Sequence, residues 1–567
     1  MNALDFTVLI VSMLGIAGYG LWRTRERRNL NTYLKGTGNT PWYAIGLSVM
    51  ATQASAITFL STPGQGYAGG LGFVQIYFGV PLALIIISIF FLPVFRKLNV
   101  YTAYEFLGRR FDRKTRLLGA GLFLVQRGLG AGLTIYAPAI VLTSMFGWPL
   151  NLTIASTGLL VVIYTVVGGS DAVTVTQKYQ LAIIFAGMVT AFCLLVAKMP
   201  TGLSFNDSLA LASGFHKLNA VSFSTDVHER YTIWSGILGG TFLMLSYFGT
   251  DQSQVQRYIS NAPIRESRLG LMMNALCKIP MQFSILLLGV LVFVFYQFEQ
   301  PPLLFNEASR QYLASHSEPG QLAAWKNDFD SAHATSRTQL EQWLAARHAG
   351  DEAAAKVAMA AAVSAHDQGE MIRTKATEVL QKAGPGTTAN DADYVFIRFI
   401  LDYLPHGVIG LLVAAFFAAT LSSKAAELNA LGSSTTIDFY RLLKTGATDV
   451  QCLRASRWFT ALWGMLAIAF ALYAHLVENL IQAVNILGSI FYGVMLGLFL
   501  IAFFLRGITG TAVFWGAVAA QMLVFALFFN LAISYVWYPL IGCAACVAFS
   551  GVLQVAGKFS GTTGGGA

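Results

Sequence analysis

Residues 48–70 read SVMATQASAITFLSTPGQGYAGG. Apolar chain continues around them for the length of a membrane-spanning helix. Yet Thr52, Gln53, Ser55, Thr58, Ser61 and Thr62 are polar, and Pro63, Gly64 and Gly66 follow. Non-helical backbone at membrane depth survives only where it is buried in protein or lines a cavity. The stretch therefore predicts a broken helix with a cavity at its break. A second stretch, SYFGTDQSQVQR (246–257), repeats the pattern through Gly249, Asp251, Gln252 and Gln254. The two lie five spans apart. That spacing arises when two five-helix units repeat with inverted topology, and transporters place their sites at such paired breaks. The competing reading is ordinary Ser/Thr helix packing with a kink.

The surroundings are those of a membrane protein. Of the 567 residues, 55% are hydrophobic and 11% charged, where a soluble domain carries about 25% charged residues. A spanning helix takes about 20 apolar residues, and about thirteen such runs are present. They lie near 4–22, 42–65, 71–95, 117–145, 150–168, 176–198, 231–255, 270–297, 405–437, 457–476, 479–505, 510–530 and 533–556. The runs are continuous, not alternating, which excludes a β-barrel. The expected fold is an all-α polytopic membrane protein with a 5+5 inverted-repeat core and broken first and sixth core helices.

The net charge of +9 gathers in RTRERRN (23–29), 96–116, 256–268 and 440–457. Basic loops beside spans follow the positive-inside rule. They place the N-terminus outside and the C-terminus in the cytoplasm, and they remove nucleic acid as a partner. The first run carries only Asp5 and precedes its basic cluster, the reverse of a cleaved signal. The five cysteines, Cys193, Cys277, Cys452, Cys543 and Cys546, show no disulfide framework or zinc spacing.

The expected organisation runs as follows: 1–40, a first peripheral span and basic cytoplasmic loop; 41–297, core helices 1–7; 395–505, core helices 8–10; 506–567, two peripheral spans and a flexible tail. Between them, 298–394 is polar and rich in strong helix formers. It reads as an extracytoplasmic helical insertion.

A further question sits at ATLSSKAAEL (419–428), inside the apolar run GVIGLLVAAFFAATLSS. Hydroxyls in membrane helices commonly bond the carbonyl four residues back, which would pair Ser423 with Ala419. The alternative is a hard monovalent cation, which takes oxygen ligands. Ala51 and Ala54 at the break would offer freed carbonyls, and Ser422 and Ser423 would face them.

These stretches, together with YTAYEFLGRRF (101–111), IYTVVGGSDAV (163–173) and AATLSSKAAELNALGSSTTIDFY (418–440), resemble the sodium/solute symporter family. Its members have a leucine-transporter-like inverted-repeat core. The resemblance spans 1–297 and 395–530, and QRGLGAGLTIYAPAI (126–140) is similar to the monocarboxylate- and vitamin-carrier branch. It implies a sodium site built from the carbonyls of Ala51, Ala54 and Ala419 and the hydroxyls of Ser422 and Ser423. Some members have a second site, using two more hydroxyls on the eighth core helix and an Asp on the fifth. Here those positions hold Ala425 and Ala426, and the Thr-Asp pair reads Thr176-Gln177. This implies one sodium per cycle. Implied substrate contacts are Gln53 and Thr58, Asp251, Lys278 in CKIPMQ, and Gln482 in NLIQAVNILG.

A charge at the centre of a membrane helix costs about 2.5–3.5 kcal/mol, so Lys278 is a functional candidate, or else the ion-pair partner of Asp251. Arg127 is a further substrate candidate, because its planar fork suits a carboxylate. Its rival reading is snorkelling to the interface or an internal ion pair. Lys424 and Glu427, three apart, suit a helix-surface pair. Glu105 and Asp438, the latter beside Arg441, read as structural rim charges, and Asp171 as a turn or gate residue.

The implied function is a sodium-coupled secondary active symporter importing a small organic solute, an organic anion such as a monocarboxylate, by alternating access. The alternative is a sugar or polyol symporter, and a transporter-like solute sensor ranks third. An enzyme is not expected: the histidines lie in loops or near span ends, with no haem-type pair, Cys cluster or phosphate-binding motif. Sodium is the transported coupling ion and no organic cofactor is implied. A monomer in the plasma membrane, specifically a bacterial inner membrane, is expected to suffice.

Overall fold

The structure, a computed structural model, describes residues 2–24, 40–98, 100–259, 263–318, 320–382, 391–473 and 479–562. Within its helices the side chains of 13–14, 16–24, 167–179, 422 and 558–562 are left undescribed. Most of the basic loop at 23–29, the return loop at 383–390 and the end of the tail at 563–567 lie outside the described residues.

Both expected breaks are present. The helix Trp42–Gln53 stops, Ala54 (ψ 64°) and Ser55 (ψ 171°) leave helical geometry, and Ala56–Gly69 resumes. The sixth core helix behaves likewise. Gly240–Gly249 ends, Thr250 and Asp251 turn out of the helix, and Gln252–Tyr258 restarts with Asp251 as its cap. The Asp251 carboxylate accepts from the Ser253 amide at 2.9 Å, satisfying one of the donors a helix start leaves open.

Packing holds the first break in place. The helix Ile264–Phe298 runs along both halves of the broken helix, and Val408–Ser434, here called the serine helix, touches both halves as well. Backbones come very close here. A methyl group added at Gly289 would overlap the Pro63 carbonyl, and one at Gly64 would overlap the Ala392 carbonyl. Small residues are what permit such approach between membrane helices.

Nine helices among the described residues are long and apolar enough to cross a membrane, with shorter apolar ones at Ala3–Ser12, Leu150–Val166 and Ser235–Gly249. The thirteen runs are thus not reproduced one for one. Backbone from Leu150 to Ala197 is helical throughout, where two runs were expected. Past the break, apolar chain continues from Ala56 to Leu98 through a 3-10 stretch at Gly70–Tyr77 and a π-turn at Ile87–Phe91. Hydropathy measures apolar length, whereas helix ends are set by local backbone bonding that hydropathy does not register.

The polar segment between Phe298 and Ala392 contains the helices Glu307–His316, Gln321–His348 and Glu352–Lys382. The last two pack together, with Ser336 donating to the Ala362 carbonyl at 2.9 Å. The pair docks on the bundle. His333 Nε2 meets the Tyr296 carbonyl at 2.9 Å, and Asp207 takes Arg347 Nε at 2.8 Å and His348 Nε2 at 3.2 Å.

Replacing Gly289 by Ala should cost about 1–3 kcal/mol of stability, as overpacking does in close-packed cores. Gly121 has no atom within 4 Å of its would-be methyl, so Gly121→Ala should leave the melting temperature in detergent unchanged. Equal melting of the two variants would contradict the close approach.

Candidate functional site

A cavity of about 90 Å³ opens at the first break. Its wall takes Thr52, Gln53, Ser55 and Thr58 from the broken helix, Arg127 and Thr134 from Arg113–Phe146, and Tyr247 from Gly240–Gly249. Lys278, Glu427 and Tyr492 complete the polar part.

The break itself is partly stitched. The Ala54 amide reaches back to the Met50 carbonyl at 2.7 Å, and Thr58 Oγ1 crosses to the Gln53 carbonyl at 3.2 Å. With Ser55 extended, the helical ladder ends there, and the Ala51 carbonyl is among those freed. On the facing serine helix, Thr420 Oγ1 makes a regular back-bond to Phe416 O at 2.9 Å. Ser423 does not make the expected one: its hydroxyl lies 3.4 Å from Thr420 O, not on Ala419. Ala51, Ala54, Ala419 and Ser423 are all buried. The side chains of Ser422, Thr176, Gln177 and Asp171 lie outside the described set. Ala425 and Ala426 are buried against Tyr164. No group of three or more His, Cys, Asp or Glu among the described residues could hold a metal ion. A cation at the break would rest on neutral oxygens.

Five charged side chains surround the cavity. Arg127 is paired closely with Asp251, donates to Tyr492 Oη at 2.9 Å, and reaches Glu427 Oε1 at 3.4 Å. Glu427 is also in close contact with Lys424, whose ammonium touches Thr134 Oγ1. These four charges cancel. Lys278 remains, 4% exposed, with Nζ 5.1 Å from the Tyr77 ring centroid. Among the described residues it has no carboxylate within 4 Å. Two lining donors, Gln53 Nε2 and Arg127 Nε, are buried without a hydrogen-bond partner.

The cavity thus brings together four of the six expected substrate contacts: Gln53, Thr58, Lys278 and Arg127. Asp251 sits one layer behind, occupied by Arg127, Tyr492 at 3.0 Å and its own helix cap. It therefore neither lines the wall nor pairs with Lys278. Gln482 is turned away, donating to Tyr231 Oη at 3.0 Å. Its neighbour Ile481 lines the wall instead, since one residue is about 100° of helix rotation.

Lys424 and Glu427 were expected on a helix surface; both are buried, at 1% and 6% exposure. An intramembrane charge is a functional candidate by default, and that signal was available for these two. Asp438 bonds Arg116 at 2.8 Å, Thr102 and Ser434, not Arg441. Glu105 lies 3.8 Å from Arg116.

Two groups of hydrogen bonds tie the broken helices to neighbouring segments. In one, Gln252 accepts from the Ala103 amide and donates to the Tyr101 carbonyl, each at 3.0 Å, and Tyr104 Oη reaches Thr250 O at 2.8 Å. In the other, the start of Leu480–Phe504 donates from Ile481 to Ser61 Oγ at 3.1 Å and from Leu480 to Asp393 at 3.0 Å.

Removing one partner of a buried ion pair costs about 3–5 kcal/mol, because the other charge is left uncompensated. Arg127→Met should therefore destabilise strongly, and adding Asp251→Asn should recover part of the loss. Additive effects in that double-mutant cycle would show that the two are not paired.

A family model described as the sodium:solute symporter family matches residues 33–302 and 369–520. The human sodium/iodide cotransporter is 32% identical over 313 residues, 54% of this chain and 48% of that protein. The chain therefore spans about half the length of that relative. The bovine sodium-coupled monocarboxylate transporter 2 is 26% identical over 535 residues, 94% of this chain and 72% of that protein. A solved structure of a Na+-coupled sialic acid symporter, in a substrate-bound outward-open state, superposes with a TM-score of 0.74 at 21% identity, covering 98% of both chains. That likeness shows the fold.

Proposed function

The chain belongs to the sodium:solute symporter family, and from that premise we propose that it imports a small organic anion, such as a monocarboxylate, together with sodium by alternating access. The observation that carries the anion is a buried lysine with no carboxylate partner. Arg127 and Lys424 are balanced by Asp251 and Glu427, while Lys278 faces the same cavity without a carboxylate. Two of the lining residues, Gln53 and Arg127, each keep a buried donor without a partner, Nε2 and Nε, and a carboxylate is an acceptor. The names of the monocarboxylate relatives point the same way.

Sodium would bind first, on the carbonyls of Ala51, Ala54 and Ala419 and the hydroxyls of Ser422 and Ser423, joining the serine helix to the broken one. The solute would then bind beside it, on Lys278, Arg127, Gln53 and Thr58. Coupling requires that each ligand favours the other's binding, and linkage makes this reciprocal. The ties at Gln252 and at Ser61 would release in turn, opening the cavity to one side and then the other. The membrane potential adds about 2.3 kcal/mol per 100 mV for each sodium charge moved. With Ala425 and Ala426 where further hydroxyls would stand, one sodium moves per cycle. In this reading the N-terminus and the 298–394 insertion lie outside, the C-terminus is cytoplasmic in the plasma membrane, and a monomer suffices.

Purified protein in liposomes should accumulate labelled lactate under an inward sodium gradient and not under a potassium gradient. Lys278→Gln should weaken lactate about 10- to 100-fold, the worth of a hydrogen bond to a charged group. Sodium-independent uptake, or competition by glucose or sorbitol but not by other monocarboxylates, would contradict the proposal.

A further inference from the structure

We propose that Glu427 is a resident stand-in for the solute's carboxylate: it occupies Arg127 while the cavity is empty and is displaced onto Lys424 when an anion arrives. The inference rests on the reading of the solute as an organic anion.

The guanidinium of Arg127 is held unequally. Asp251 and Tyr492 grip Nη2. Glu427 Oε1 reaches Nη1 only at 3.4 Å, well beyond the 2.7–2.9 Å usual for a charge-assisted bond. Arg127 Nε is buried without a partner. The arginine is therefore incompletely filled, and its longest bond is to the carboxylate that lines the cavity.

Glu427 can leave that bond without being stranded. Its other oxygen is already in close contact with Lys424, and Lys424 is anchored by Thr134 Oγ1. Displacement exchanges one long contact for a retained short one, so no buried carboxylate is left unpaired. The charge count agrees. Empty, the paired network is balanced, Arg127 and Lys424 against Asp251 and Glu427. A monoanion adds one negative charge, which a proton on Lys278, buried on the same wall without a carboxylate, balances. A neutral solute would have to break the Arg127–Glu427 contact without replacing its charge, which selects for anions. Glu427 also lies four residues after Ser423 on a continuous helix, hence on the same face. Arrival of the solute is thus felt one turn from the candidate sodium hydroxyl.

The test measures lactate binding to full-length protein in sodium, for the native chain and for Glu427→Asp and Glu427→Gln. The shorter Asp keeps its helix position beside Lys424 but loses reach to Arg127; Gln removes the competing charge altogether. Both should bind lactate more tightly, by about three- to tenfold, since each loses a weak charged hydrogen bond that the solute must otherwise break. A carboxylate with a merely structural role gives unchanged or weaker binding, and that result would overturn the inference while leaving the anion reading intact. No lactate binding by the native chain would remove both. A measurement on the native chain covers the case in which neither variant folds. With lactate labelled by ¹³C at its carboxylate, binding should leave a protein carboxylate band in the infrared difference spectrum, and its absence counts against displacement.

Discussion

Backbone polar groups at membrane depth must be satisfied from within the protein, and at Ala54 and Ser55 the helical ladder that does this is interrupted. Much of the site follows from how the break is held. Thr58 spans it by bonding the Gln53 carbonyl. The Gly289 and Gly64 backbones press against carbonyls just beyond it. The serine helix lies along both halves. What this bracing leaves free is a small set of neutral oxygens on one side and a cavity on the other. The two proposed ligands would then share a single structural element, the cheapest arrangement for making the binding of one depend on the other.

Charge supplies the second layer. A bundle in lipid carries buried ions at a cost, and buried ion pairs are weak contributors to stability. Four of the charges here are arranged as a chain, Asp251–Arg127–Glu427–Lys424, that crosses from the cap of one half-helix to the serine helix. The cap end of the chain adjoins Gln252, which ties the bundle to the segment at Tyr101 and Ala103. The charged chain is therefore linked by direct contacts to that segment. Lys278 stands outside the chain, on the cavity wall with no carboxylate partner among the described residues.

The sequence made the two breaks legible because polar density and Gly or Pro coincide at each. It also placed Gln53, Thr58, Lys278 and Arg127 near a common site. It did not reveal the pairing. Arg127 finds its partners 124 and 300 residues away, and the sequence alone cannot choose among buried acids. Lys424 and Glu427 show the same limit from the other side. A spacing of three suits an exposed pair and a buried one equally, and only the packing of Thr134 and Arg127 against them decides. Gln482 failed by one position, since its helix turns Ile481 to the cavity instead. At 150–197 the two expected runs reappear as the apolar stretches Leu150–Val166 and Gln180–Ala197, but apolar length did not tell that the helical backbone runs on between them.

The break and the serine helix together are proposed to hold a sodium ion. The direct measurement is the melting temperature of purified protein in sodium against matched potassium and choline, repeated with Ser423→Ala. A ligand bound only by the folded state stabilises it by RT ln(1 + [L]/Kd), and no solute need be known. The account predicts a sodium-selective rise that the substitution abolishes. A native protein indifferent to sodium, or a rise that survives in Ser423→Ala, would contradict it.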